Sequence, residues 1–273
     1  MDTLEVSIKK KIEMLGTPLR DWEIQINYGI KTGFNDAFII NREIKDELLK
    51  KSSKNVEIIR PILRGRDIKK YKAEFEDIWI INSHNGIKEK NIQRINVKKD
   101  YPIIFKHLKN FQQQLEFRQD KGDDWTNLRN CAYLEDLENE KIIWMELTNH
   151  ANFFLDTNGY YINNTVFFIQ GKRLRYLTAF LNSRLCEWYF DKIASTSGAG
   201  TRRWIKIYVE QIRIPQIINN DLEVYISEIV DKIQLRKLNH EETIELEREI
   251  DSAIYSLFGL TSQEREVIEN AEL

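Results

Sequence analysis

Only two cysteines occur in the 273 residues, Cys131 and Cys186. No disulfide framework can be built from them, and the composition suits a reducing cytosol. The four histidines, His84, His107, His150 and His240, stand far apart and show no metal-ligand spacing. No apolar run reaches the roughly 18 residues that span a bilayer, and the N-terminus lacks the apolar core of a signal peptide. Proline is rare, at four residues, and no two are adjacent. That excludes the Asn-Pro-Pro-aromatic segment which an adenine amino-methyltransferase requires. A GxSxG elbow and a Walker loop are also missing. Gly198-Ala199-Gly200 starts like a dinucleotide fingerprint, but Arg203 occupies the place of its third glycine. Two triplets resemble the (Asp/Glu)-x-Lys of metal-dependent nucleases, Glu43-Ile44-Lys45 and Asp67-Ile68-Lys69. The first lies in a polar helix with Asp36 too close upstream, and the second belongs to a segment explained otherwise below.

What is present is a chain able to bury a core, with 42% hydrophobic and 11% aromatic residues. Its formal charge of minus two hides a division. Residues 219–273 carry 14 acidic against five basic side chains, a net of minus nine, which leaves residues 1–218 at plus seven. A basic body joined to an acidic end is expected when one part only faces a polyanion. The reading is a body over 1–218, with an N-terminal helix over 3–15, and a docking tail over 219–273.

Periodicity predicts a mixed α+β body, strand-rich with interspersed helices, followed by a helical hairpin. Alternation marks a strand from Trp22 to Ile30, and strands are expected over Ala37–Ile40, Ile58–Leu63 and Ile78–Ile81. Asn41–Lys51 and Pro102–Phe117 have helical character. Four short strands are expected in Glu140–Met145, Asn152–Leu155, Tyr160–Asn163 and Val166–Gln170, with Asn158-Gly159 as a hairpin signal. Leu174–Ile193 reads as the longest helix of the body, and Ile205–Ile214 as a strand. In the tail, Leu222, Ile226, Ile229 and Ile233 share one helical face, and Ile244, Ile250, Ile254 and Leu257 another. Gly259 closes the second helix, and Thr261 with Glu264 form a capping box for a third. The apolar stripes imply docking on a neighbouring protein surface.

The candidate contact residues lie in separated segments. Ser197 to Trp204 is a glycine-containing loop delivering Arg202, Arg203 and Trp204 together. Its arginines can reach phosphates or the guanine edge and its indole can stack, although an ordinary surface connection explains the segment as well. Lys31 and Thr32 sit between Gly29 and Gly33, in a turn that fits either phosphate binding or plain hairpin geometry. Arg64, Arg66 and Lys69 flank Asp67, which is expected to pair with an arginine and shape the turn. Arg118, Lys121 and Arg129 surround Gly122 and Trp125, as residues bordering a groove would. Asn163 and Asn164 carry amides that can read adenine, and turn formation fits them equally.

Several segments resemble, in order, the TaqI-like C-terminal specificity domain of type IIG restriction-modification enzymes and related phage-defence adenine methyltransferases. They are Gly29–Phe38 (GIKTGFNDAF), Ile62–Tyr71 (ILRGRDIKKY), Leu115–Gly122 with Trp125, Leu181-Asn182-Ser183 before Trp188-Tyr189-Phe190, Ile212–Pro215, and Ile250–Thr261. The resemblance implies a target-recognition domain that binds double-stranded DNA for a separate methyltransferase and nuclease portion. It also implies that S-adenosylmethionine and Mg serve that portion, with no catalytic residue, cofactor or metal on this chain. A protein-interaction module with an aromatic groove is the competing reading, and an unrecognised metal-dependent nuclease the third.

Overall fold

The computed structural model describes residues 3–194, 202–217 and 219–272. Its centre is a four-stranded antiparallel sheet in the order Ile24–Tyr28, Val166–Gly171, Lys141–Met145, Phe153–Asp156. This sheet divides two hydrophobic cores. Ile142, Trp144, Phe153 and Leu155 face one core, while Ile143, Phe154, Val166 and Phe168 face the other. Burial on both faces explains why Ile142-Ile143-Trp144 is continuously apolar instead of alternating.

The second sheet has the order Tyr161–Ile162, Ile59–Leu63, Ile78–Ile81, Ile39–Asn41, with its first pair parallel. Pro61 has no N–H to donate. It stands where pairing passes from Ile78–Ile81 on one side to Tyr161–Ile162 on the other. The helices Arg42–Lys51 and Pro102–Lys109 cover this half. The architecture is α+β.

The Asn158-Gly159 turn forms, with Gly159 at φ +72°, but it closes no hairpin. Phe153–Asp156 pairs in the central sheet, whereas Tyr161–Ile162 pairs in the second, so the turn carries the chain from one sheet to the other. Asp156 organises the crossing. Its buried carboxylate accepts from Asn158 N (2.9 Å), Tyr160 N (2.8 Å) and Lys141 Nζ (2.6 Å). Burial pulls the Lys141 ammonium below its usual pKa, and Asp156 opposes that pull.

The free edge of Phe153–Asp156 is closed by two amide side chains. Asn182 exchanges hydrogen bonds with the backbone of Phe153 (3.0 and 2.8 Å), and Gln234 does so with Leu155 (3.0 and 3.1 Å). An open strand edge is thus satisfied without another strand. Asn182 interrupts the helix expected over Leu174–Ile193. Two helices form instead, Leu174–Leu181 and Arg184–Ile193, the second capped by Ser183 Oγ, which accepts from Cys186 N at 3.1 Å. Pro102–Phe117 likewise divides into Pro102–Lys109 and Gln112–Phe117.

Ile205–Ile214 is not one strand. Ile205, Tyr208, Val209 and Ile212 have helical spacing, and a turn of helix forms over Lys206–Val209; Arg213–Pro215 alone pairs, with Gly16–Pro18. In the tail, Asn220–Leu238, Ile244–Leu257 and Ser262–Glu269 are helices. The surface on which they dock is the chain's own: Ile226, Ile229, Val230, Ile233, Ile250 and Ile254 share a core with Ile8, Ile12 and the helices Leu174–Leu181 and Arg184–Ile193. Glu264 fastens the last helix, accepting from Lys11 Nζ (2.6 Å), Ser7 Oγ (2.8 Å) and Thr261 N (2.7 Å). Burial alone would raise its carboxyl pKa, but these donors hold it at about 2. Among the described residues no helix is long and apolar enough to cross a membrane.

Candidate nucleic-acid interface

Four segments far apart in sequence meet along one margin of the two sheets. A parallel bridge joins Ile30 to Asn163, so the Lys31–Asn35 loop begins beside the Asn163-Asn164-Thr165 turn. Asn163 N donates to Leu63 O at 3.2 Å, which brings in the strand leading to Arg64. Gly65 packs against Met145 and Thr165 so closely that a Cβ would lie 2.8 Å from Met145 Cγ. Glu146 N donates to Thr165 O (3.2 Å), and Glu146 O accepts from Trp204 N (2.8 Å). Lys31, Arg64, Arg66, Asn163, Asn164 and Arg203 therefore lie along a continuous ridge.

A loop held by buried hydrogen bonds adjoins the Lys31 turn. Arg118 is buried, and its guanidinium donates to Thr32 O, Asn127 O and Trp125 O (3.2 Å for the last), lying over the Phe38 ring at 4.4 Å. Burial lowers its pKa to about 10, against the pull of Asp120, so it stays charged at neutral pH. Asn127 Nδ2 donates to Ser83 O, His84 O and Ile95 O (3.2, 3.3 and 2.9 Å), and Asn85 Oδ1 accepts from Asp123 N at 2.8 Å. Between this loop and the Lys31 turn lies a cavity of about 290 Å³, lined by Lys31, Phe34, Asn35, Asp120 and Asn164 among others.

The structure sorts the candidate residues into those that face solvent and those that hold the frame. Arg66 and Arg203 are exposed (71% and 45%), as are Lys69, Lys121, Arg129 and Asn164. Arg203 meets Glu146 at 3.2 Å and Arg129 meets Asp120 at 2.9 Å, weak surface pairs that a phosphate can replace. Lys69 Nζ donates to Arg66 O (2.9 Å) and Lys121 Nζ to Glu116 O. Lys31, Asn163 and Trp125 are half-buried.

Four candidates are corrected. Trp204 does not stack in a groove: it is fully buried, its indole 3.7 Å from the Phe190 ring centroid and 3° from parallel. Arg118 borders no groove, because it is buried and its two Nη groups donate to three backbone carbonyls. Thr32 is buried and shapes its own turn, donating to Asn35 Oδ1 at 2.6 Å and accepting from Phe34 N. Arg202 is tied down by Asp191 Oδ1 (3.0 Å) and Asn149 O. The part of its loop at 195–201, including Gly198 and Gly200, lies outside the described residues. Arg64 is also largely committed, to Asp67 (2.9 and 3.0 Å) and Glu76 (3.3 Å), and buried Asp67 accepts from Arg64 N at 2.8 Å. Asp67 is thereby the turn former anticipated from its position. Among the described residues no three His, Cys, Asp or Glu side chains gather as a metal site.

Asn85, Asn127 and Ser83, whose Oγ donates to Thr126 O at 2.7 Å, tie the loop down, and nothing marks them in sequence beyond a polar side chain. Phe117, 82% exposed beside Arg118, is a further residue that only burial reveals.

The model of the TaqI-like C-terminal specificity domain matches residues 60–214. Type II methyltransferase M.BstVI of Geobacillus stearothermophilus is 20% identical over 254 residues, covering 90% of this chain and 41% of that protein. The type IIL restriction-modification enzyme MmeI, solved in complex with DNA, superposes with a TM-score of 0.66 at 12% identity, over 92% of this chain and 35% of MmeI. The type IIG restriction endonuclease BpuSI superposes with a TM-score of 0.57 at 14% identity, over 94% of this chain and 33% of BpuSI. The chain thus spans less than half the length of each of these proteins, and at such identities the two structural matches establish likeness of fold.

Proposed function

The chain belongs to the TaqI-like C-terminal specificity domain family, and from that membership we propose that it recognises a sequence in double-stranded DNA and holds it for a separate catalytic portion. The observation that carries this reading is the convergence of the Lys31, Arg64–Lys69, Asn163-Asn164 and Arg203 segments on one ridge. Half-buried Lys31 and exposed Arg66, Lys69, Lys121 and Arg129 supply phosphate contacts, which set register without reading sequence. Asn163, Asn164 and Arg203 carry the side-chain types that recognise adenine and guanine edges. Thr32, Arg64, Arg118, Trp125, Arg202 and Trp204 fix the turns that present them.

The parent system in this reading is a type IIG restriction endonuclease with adenine methyltransferase activity. S-adenosylmethionine and Mg act in its catalytic portion, and this chain contributes binding alone. The acidic tail over 219–273 braces the body instead of touching the duplex, since its net charge of minus nine repels phosphate.

Selection of bound duplexes from a randomised pool tests the proposal. The expected result is enrichment of one consensus, blurred at a single position by Asn164→Ala or Arg203→Ala. Retention of no duplex, or retention without any consensus, overturns it.

A further inference from the structure

A second concave surface lies on the other side of the loop that Arg118 anchors. Residues 94–109 contain Arg94, Lys98, Lys99, Lys106 and Lys109, with Asp100 as the single carboxylate of the run. All five cations are exposed, and none of them forms an ion pair among the described residues. This differs from Arg64, Arg129, Arg202 and Arg203, each of which already has an acidic partner. Arg94, Lys98, Lys109 and Gln112 rim a cavity of about 490 Å³ whose wall includes Phe105 and Trp125. The two rings pack at 5.6 Å between centroids, and Lys98 Nζ lies 6.0 Å from the Phe105 ring. Asp124 also lines the cavity, but its Oδ1 accepts from Thr126 N and Thr126 Oγ1 (2.9 and 2.5 Å) and is occupied within the loop. Arg94 is oriented by donating to Asn127 Oδ1 at 3.0 Å.

One loop separates this groove from the Lys31 cavity. Asp120 lines the Lys31 cavity and Asp124, Trp125 and Thr126 line this one, so a single loop forms a wall of both. Phe34, from the Lys31 turn, contacts Phe111 at 5.9 Å, next to Gln112.

We propose that Arg94, Lys98 and Lys109, reinforced by Lys99 and Lys106, form a track for the phosphate backbone of the duplex whose bases meet the ridge. The inference rests on the DNA-recognition reading and adds a sequence-independent contact to it. Unpaired exposed cations bind a polyanion without first breaking an internal ion pair, and each phosphate neutralised releases condensed counterions. The recessed rings stiffen the groove, because Trp125 is packed on Phe105 and is not free to stack on a base.

The test compares the parent chain with Lys98→Glu/Lys106→Glu/Lys109→Glu and with the neutral Lys98→Gln/Lys106→Gln/Lys109→Gln, on random and consensus duplexes over a range of salt. All three substituted side chains are exposed, and circular dichroism with a thermal midpoint confirms folding. The expected result is weaker binding on every sequence alike, with the slope of log affinity against log salt reduced by about 2–3 in the neutral variant. The order of preference among sequences should be unchanged. If both variants bind as the parent does, with the same slope, the track is refuted while the functional reading survives. A changed sequence preference refutes the backbone assignment. A parent that binds no duplex at all defeats the functional reading and the track with it.

Discussion

The Trp204 indole lies flat on the Phe190 ring, 3.7 Å between centroids and 3° from parallel, at the heart of the core beneath Arg203. One residue of an Arg-Arg-Trp run is thus buried in the core while its neighbour stands in solvent. Trp204→Ala should cost about 3–5 kcal/mol in chemical denaturation. Trp204→Phe should cost less, because the buried indole N–H finds no hydrogen-bond partner among the described residues. An alanine variant as stable as the parent would show that the segment is not anchored in this way.

Arg118 makes the equivalent anchor for the loop around Trp125. Arg118→Ala leaves the carbonyls of Thr32, Trp125 and Asn127 without this donor, and the expected loss is about 3–5 kcal/mol in urea unfolding. Arg118→Lys should restore only part of it, since a compact ammonium cannot reproduce the planar fork.

Arg203 and Arg202 should separate function from stability. Arg203→Ala is expected to leave the unfolding midpoint unchanged and to weaken consensus binding by about 1–3 kcal/mol if it reads guanine. Arg202→Ala should lower stability first, through loss of the contacts to Asp191 and Asn149. Titrations with matched and single-base-substituted duplexes distinguish the two variants.

A pH dependence resides in the tail. Burial raises the Asp251 carboxyl to about 6, although its Oδ1 accepts from Arg184 N at 2.8 Å. A folded-state pKa above the unfolded one favours folding below about pH 4, and that contribution is lost as pH rises through 6. Asp251→Asn keeps an acceptor for Arg184 N and removes the charge. It should stabilise the chain by about 2 kcal/mol at neutral pH and by nothing below pH 4. A pH-independent difference would contradict the assignment.

Local chemistry made parts of this fold legible in the sequence. The Thr261–Glu264 capping box, Asn41 at the head of Arg42–Lys51 and the Asp67 turn are all settled by residues within four positions of one another. Sequence and structure part where distant partners decide. Asn158-Gly159 has hairpin chemistry, but which sheet Tyr161 joins depends on Ile62. Asn182 breaks a helical pattern in order to close the edge of Phe153, and the Trp204 side chain turns inward because Phe190 awaits it. In the candidate site, residue types were readable whereas commitment was not: nothing beside Arg118 in sequence announces three carbonyl acceptors, one of them 86 residues away.

Hydrogen exchange, followed with and without the duplex enriched from the randomised pool, tests the central claim most directly. Binding at the ridge predicts slower exchange at 29–35, 163–166 and 202–206, with residues 244–269 unchanged. Protection confined to the C-terminal helices, with the three turns exchanging as fast as before, would contradict it.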